Sequence, residues 1–420
     1  MEEPNLAMIP SGVKATKVYS IMPESGVGDF TFARSSTAYR LNKDGLWETS
    51  ASNLPRLHYD LSNGNPDSCP CLLLEPASTN ALGYSELFSS WGTTRSTIVA
   101  DSIMSPDGTV NASKMKDDGS TGTDTSQRFL SVIVANGLDY TFSVFAKKGS
   151  MDFVALRTGN FTDGGGTGET FFNLATGAVG TTYTFHTASI EKYPNGWYRC
   201  SIKFTAGTDL SGTVLIRQAS ANGTSTVPLD GNSFIYLWGA QFEQNSFATS
   251  YIKTTSNISS TRSAETCNSA GNASTFNSEE GILYAEIAAL ADNLTFRSIS
   301  INDGTNNEAV IVRFRTDSNR INALIRDGGS AVNNIQFTVT DITDFHKIAF
   351  KFKTGDCGLY IDGTEVVTAT QLFTLSPLNN ISFYNTVGDF FYGKCKDLRY
   401  YDTEGMTDTE ITNLLTQLTQ

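Results

Sequence analysis

The chain has 420 residues, enough for two or three domains at about 100–200 residues each, each able to bury a sizeable core. Lys and Arg number 30 against 43 Asp and Glu, a net charge of −13. That balance excludes a protein that wraps nucleic acid, because phosphate binding needs a basic footprint, and it argues against an anionic membrane surface. Only 17% of residues are charged, below the roughly 25% of ordinary domains, so solubility rests on Ser, Thr, Asn and a mild negative charge.

The opening string MEEPNLAMIPSGVK is acidic and lacks a long apolar run, which reads against a secretory signal. No stretch approaches the ~18 apolar residues of a membrane span, so no membrane insertion is expected. Residues 1–87 hold seven of the eleven prolines, with short apolar pieces between turns. A segment that buries so little cannot fold alone, and it reads as an extended arm packed on a neighbour. Residues 88–253 change to period two. Strands are predicted at 140–146, 153–157, 171–174, 197–205, 213–217 and 234–239, separated by Gly/Asn/Asp turns at 163–168, 175–179, 194–196 and 220–226. Short strands at such spacing predict a sandwich or barrel, and a sandwich is expected here. Residues 254–278 are Ser/Thr/Asn-rich and read as a polar linker, or as an extended segment lying along a neighbouring domain. The strand pattern resumes at 279–420, a second sandwich. There Thr407 and Glu410 form a capping box, and Ile411, Leu414, Leu415 and Leu418 give one apolar helical face. The fold class is therefore all-β: two tandem β-sandwich (jelly-roll) domains, an extended N-terminal arm and one short C-terminal helix.

Six cysteines, Cys69, Cys71, Cys200, Cys267, Cys357 and Cys395, are scattered. Cys69-Pro70-Cys71 lacks the two-residue spacer of a zinc knuckle or redox pair, and free, mostly buried thiols are expected. Cys357 and Cys395 are candidates for neighbours in one sheet.

Three strings carry a family resemblance. DFTFARSSTAYRLNKDGLWETSASNLPRLHYD (29–60) followed by CPCLLLEPASTNALGYSELFSSW (69–91) resembles the start of a family of bacteriophage head-spike and tail-fibre proteins. GAQFEQNSFATSYIKTTSNISSTRSAE (239–265) is similar to the close of that family's carbohydrate-binding-module-like jelly roll, although Gln244-Asn245 stands where the family often has Glu-Gly. Residues 357–415, with LYIDG and DLRYYD, resemble the end of a laminin-G or concanavalin-A-like sandwich. The resemblance implies a virion surface protein, assembled in the bacterial cytoplasm. It also implies a homotrimer, anchored to other virion proteins through its arm and binding host-surface polysaccharide. A decoration or cementing protein without sugar binding, and a capsular polysaccharide depolymerase, stand as alternatives.

Sugar binding needs aromatic faces flanked by amides, carboxylates and arginine. In the first sandwich the candidates are Trp197, Tyr198, Arg217, Gln218, Tyr236, Trp238 and Gln241. Alternation puts Phe234, Tyr236 and Trp238 on one face of their strand, a candidate binding face, although aromatics also dominate sandwich cores. Asp303, Asp317, Asp327, Asp341, Asp344, Asp356 and Asp362 lie in or beside turns, but calcium needs six to eight converging oxygens and Asp is a common turn former. No cofactor or metal is expected. His58, His186 and His346 accompany no nucleophile motif, and no P-loop or zinc-protease string is present. Glu279 and Glu280 are adjacent in sequence, and alternation along a strand would separate their side chains, unlike a glycosidase pair. No enzyme is expected.

Overall fold

The computed structural model describes residues 2–162, 166–386 and 388–420; residues 163–165 of the expected turn at 163–168 lie outside them. Two sandwiches are present. In the first, one six-stranded sheet runs in the order 96–104, 110–117, 234–243, 139–148, 197–205, 187–192, and the second in the order 92–94, 127–133, 211–219, 153–159, 168–173, 178–179. Alternation fills the space between them: Phe142, Val144 and Ala146 from one strand meet Cys200, Ile202, Phe204, Leu237 and Phe242 from its neighbours and Val154, Leu156, Val214 and Ile216 from the facing sheet. The rings of Tyr140 and Phe242 stack at 5.3 Å.

The second sandwich pairs a five-stranded sheet, in the order 330–338, 320–327, 309–314, 297–302, 380–382, with an eight-stranded one. Three strands of the latter come from the arm. Cys71–Leu74 pairs with Gly393–Tyr401 and with Arg56–His58, and Leu6–Met8 pairs with the other end of Gly393–Tyr401. Leu6, Met8, Phe30, Phe32, Leu72 and Leu74 are therefore part of the second sandwich's core. The arm is a structural component of that domain, because its sequence supplies three strands of the sheet, one of them, Cys71–Leu74, internal.

Residues 254–278 are not a free connector. Ser260–Arg262 pairs with Ser78–Asn80, and Thr266–Asn268 pairs with Phe30–Ala33. The polar composition is explained by this pairing: the backbone is satisfied by short ladders, and the side chains seldom need an apolar core.

The C-terminal helix runs Asp408–Thr419, with Glu410 N donating to Thr407 Oγ1 at 3.3 Å and Thr407 N donating to Glu410 Oε2 at 2.7 Å. Its apolar face covers Ile282, Tyr284, Ala349 and Tyr401 on the outside of the eight-stranded sheet. All six cysteines are free. Cys357 and Cys395 lie in the same sheet but are separated by strands 346–353 and 280–289.

Candidate functional site

The aromatic face expected on the first sandwich exists, but it is covered. The arm hairpin formed by Ala38–Leu41 and Trp47–Ser50 lays Leu41 and Trp47 against Phe145, Tyr193, Trp197, Trp238 and Tyr251. Trp238 is fully buried, 4.5 Å from Tyr251 and 5.2 Å from Phe145. Trp197 is buried and donates its indole N–H to Met104 O at 3.1 Å. Tyr198 lies in the core between the sheets. Gln241 is buried, its Oε1 accepting from Ile252 N at 2.7 Å, and buried Gln218 donates to Ser126 Oγ at 3.1 Å. These five side chains present nothing to a ligand, a correction to the sequence expectation. For Trp197 and Trp238 the cause is the arm, whose landing place no local pattern reveals, while Tyr198 and Gln218 are buried within the first sandwich itself. Tyr236 is half-buried against the same cluster. Arg217 is half-buried and committed to Glu169 at 3.0 Å and Gln127 at 2.7 Å.

Beside this cluster lies a buried ionic network. Arg34 Nη1 meets Glu265 Oε1 at 2.7 Å, and Arg56 binds Glu265 through Nε at 2.9 Å and through Nη2. Arg56 Nη1 reaches Glu75 Oε2 at 2.7 Å, and Arg262 Nη1 reaches the same oxygen at 3.2 Å. Ser250 N donates to Glu75 Oε1 at 2.8 Å. Burial pushes the Glu75 carboxyl up, but Arg262 and Arg56 outweigh it and hold it well below the carboxylate range. Glu243, also buried, accepts from Ser78 Oγ at 2.6 Å. Three guanidiniums thus face two carboxylates, Glu75 and Glu265, fastening the arm, the first sandwich and the 254–278 stretch together.

A cleft of about 580 Å³ opens where the arm meets both sandwiches. Two of its carboxylates are closed by lysines: Lys394 Nζ pairs with Asp60 at 2.5 Å and Lys396 with Asp67 at 3.0 Å, each joining arm to second sandwich. Leu41 N donates to His58 Nδ1 at 3.2 Å, so the neutral ring carries its proton on Nε2, 3.5 Å from Asp60. Burial pushes the His58 ring below its ordinary value. Trp47 and Tyr193, at its wall, are 3% and 5% exposed. This cleft is a seam between elements. His186 bridges Thr158 and Thr170 at 2.9 and 3.0 Å, and His346 binds Asp362 at 2.6 Å. Asp303 and Asp341 cap turns through Thr305 N and Thr343 N. Among the described residues no group of three or more His, Cys, Asp or Glu side chains is arranged to hold a metal ion.

A second polar set lies on the second sandwich, on the five-stranded sheet's outer face, where Ser298, Ser300, Ile311 and Asn322 are buried, Arg313 is 8% exposed, and Arg320, Arg326, Asn380, Tyr384, Phe390 and Tyr392 are half-buried. Val310, Val312, Phe314, Ile321, Ala323 and Ile325 turn inward to the core. Alternation therefore turns Ala309, Ile311 and Arg313 outward from one strand and Arg320, Asn322, Leu324 and Arg326 from the next. Ser298, Ser300, Asn302, Asn380 and Ser382 continue this face. They form a chain of small polar groups: Asn302 Nδ2 donates to Ser300 Oγ at 2.8 Å, Asn380 Nδ2 to Asn302 Oδ1 at 3.0 Å, and Ser382 Oγ to Asn380 Oδ1 at 2.9 Å. Ser298 Oγ is buried with no partner.

At one rim stand three half-buried rings. Tyr384 and Phe390 are 4.9 Å apart at 25°, and Phe390 and Tyr392 are 5.7 Å apart at 21°. Phe390 is held there by bridges to Ser298 and Tyr384. Arg313 lies over the Phe296 ring at 4.3 Å, and its Nε donates to Asn322 Oδ1 at 2.8 Å. Burial and the neighbouring Arg315 guanidinium bring the Arg313 guanidinium down to about 10, so it is charged at neutral pH. Rings, amides, hydroxyls and guanidiniums on one face are the groups that contact sugar C–H faces and hydroxyls. The sequence did carry a signal for it: arginines at positions 313 and 315 and again at 320 and 326 share a face at period two, and five aromatics crowd into 383–392.

No family model matches this chain, and no curated protein matches it. Nineteen solved chains do. One is the Ruminococcus gnavus IT-sialidase CBM40 bound to alpha2,3 sialyllactose, 14% identical, covering 35% of this chain and 93% of that one, with a TM-score of 0.29. Another is a native glycosidic hydrolase, also 14% identical, covering 33% of this chain and 70% of that one, with a TM-score of 0.26.

Proposed function

We propose that this chain is a glycan-binding attachment protein displayed on a bacteriophage particle, acting by adhesion and not by turnover. The observation that carries the binding half is the outer face of the five-stranded sheet. There Tyr384, Phe390 and Tyr392 stand half-buried beside Arg313 and a row of amides and hydroxyls. The particle half rests on the sequence resemblance to phage spikes and fibres. Stacked rings would take the C–H face of a sugar, and the half-buried Asn380, Arg320 and Arg326 its hydroxyls. Each such contact is weak. A homotrimer would make every later contact intramolecular and raise avidity without new chemistry.

Because the arm's strands are already used inside its own chain, a virion contact through the arm would be made by its outward surface. The test is a glycan-array screen of the full chain beside light scattering. Binding by an oligomer, with no fragments released from the bound polysaccharide, supports the reading. Release of oligosaccharides would replace adhesion with depolymerisation, and a folded oligomer that binds nothing would leave a decorating or cementing role.

A further inference from the structure

We propose that the outer face of the five-stranded sheet is built for an anionic glycan, one carrying carboxylate or sulphate groups, held by Arg313, Arg320 and Arg326. This rests on the glycan-binding reading above and names the class of its ligand.

Three arginines on two adjacent strands share the face, and among the described residues none of them makes an ion pair. Their partners are neutral: Asn322 Oδ1 for Arg313, Gln336 Oε1 at 3.1 Å for Arg320, and Gly329 O at 2.9 Å for Arg326. The Nε donors of Arg320 and Arg326 are buried and unpartnered. Arg315 is the exception, paired with Asp317 at 3.1 Å. Asp389, which takes a hydrogen bond from Asn385 Nδ2 at 2.6 Å, is the carboxylate whose charge reaches Arg313. A cationic face in a chain of net charge −13 is not a by-product of composition. Burying like charges together costs free energy unless a counter-charge arrives. In the arm network Arg34, Arg56 and Arg262 each meet a buried carboxylate, while Arg128 and Arg199 of the first sandwich are buried singly on neutral oxygens.

Guanidinium is suited to planar oxyanions, which it binds through two parallel N–H bonds. Arg320 and Arg326 are six residues apart on one strand, about 20 Å at ~3.3 Å per residue, which is the reach of a polymer and not of a single sugar. The ring row at the rim would hold the uncharged faces of the same chain.

The experiment is affinity electrophoresis and titration calorimetry of the full chain with polygalacturonate (carboxylate), dextran sulphate (sulphate), and neutral dextran and mannan. The expected result is binding to an acidic polymer, with the preferred one naming the oxyanion. Affinity should fall steeply as salt rises from about 0.1 to 1 M and the Debye length shrinks from ~10 to ~3 Å. Arg313→Gln and, separately, Arg326→Gln should each weaken it about tenfold or more, the loss of a charged hydrogen bond. Arg326 is the less buried of the two and guards against a folding artefact, while Arg313→Lys should keep part of the affinity. Equal binding to neutral polymers, unchanged by both Gln variants but weakened by Tyr384→Ala, would overturn the anionic assignment and leave the glycan reading standing. No binding to any of the four polymers or to any array member would overturn both.

Discussion

Glu265→Gln should destabilise the fold by about 4 kcal/mol. Both carboxylate oxygens are fully used: Oε1 accepts from Arg34 Nη1 and Arg56 Nε, and Oε2 accepts from Arg56 Nη2 and from Glu75 N at 2.9 Å. The side chains of Glu265, Arg34 and Arg56 have no solvent exposure. An amide turns one acceptor into a donor, so two of these bonds are lost whichever way it sits. Hydrogen bonds to charged groups contribute about 1.5–3 kcal/mol each, and breaking a buried pair typically costs about 3–5 kcal/mol. Two independent routes thus converge near 4 kcal/mol. The assay is urea unfolding followed by circular dichroism and tryptophan fluorescence, with limited proteolysis of 254–278 as a local readout. Adding Arg34→Met, which removes one stranded charge, should recover part of the loss. A Glu265→Gln protein within about 1 kcal/mol of wild type, with 254–278 still protected, would refute the argument that this network is dry and fastens the arm.

The same network predicts a pH dependence. Glu75 is held below its ordinary value of about 4.3, so its contribution is complete above that pH and is lost as pH falls below it toward the folded value. The stability gap between wild type and Glu75→Gln should therefore shrink as pH drops from neutral through 4, and a gap that widens would contradict the sign. Trp238→Ala should cost about 3–5 kcal/mol of stability without specific loss of glycan affinity in protein that remains folded; calorimetric melting beside binding separates the two. Leu415→Ala should cost about 2–5 kcal/mol by emptying the helix–sheet interface, and an unchanged melting temperature would show that this face packs on nothing.

Much of the fold was legible because period two survives wherever one strand face is core. The predicted strands at 153–157, 197–205 and 213–217 lie within 153–159, 197–205 and 211–219, and the Thr407–Glu410 box starts the helix. What stayed hidden was long-range. Cys71–Leu74 reads as a short apolar piece, and only its pairing with Gly393–Tyr401 makes it an internal strand of a sheet more than 300 residues away. The alternation of Phe234–Glu243 correctly marks an aromatic face, but alternation cannot say that Trp47 covers it. The strings that carried the family resemblance have a physical reading here: Arg34, Arg56, Glu75, Ser250, Arg262 and Glu265 all fall within them, and together they are the buried network. The ring row was missed because Tyr384, Phe390 and Tyr392 meet across a turn, at a spacing no single periodicity describes.

Sugar binding at the Tyr384–Phe390–Tyr392 row is tested most directly by one array measurement on three proteins: wild type, Tyr384→Ala and Arg217→Gln. Wild type should bind a defined set of glycans, Tyr384→Ala should lose that set while staying folded, and Arg217→Gln should keep it. Retention by Tyr384→Ala together with loss in Arg217→Gln would contradict a site on the second sandwich and move it to the first.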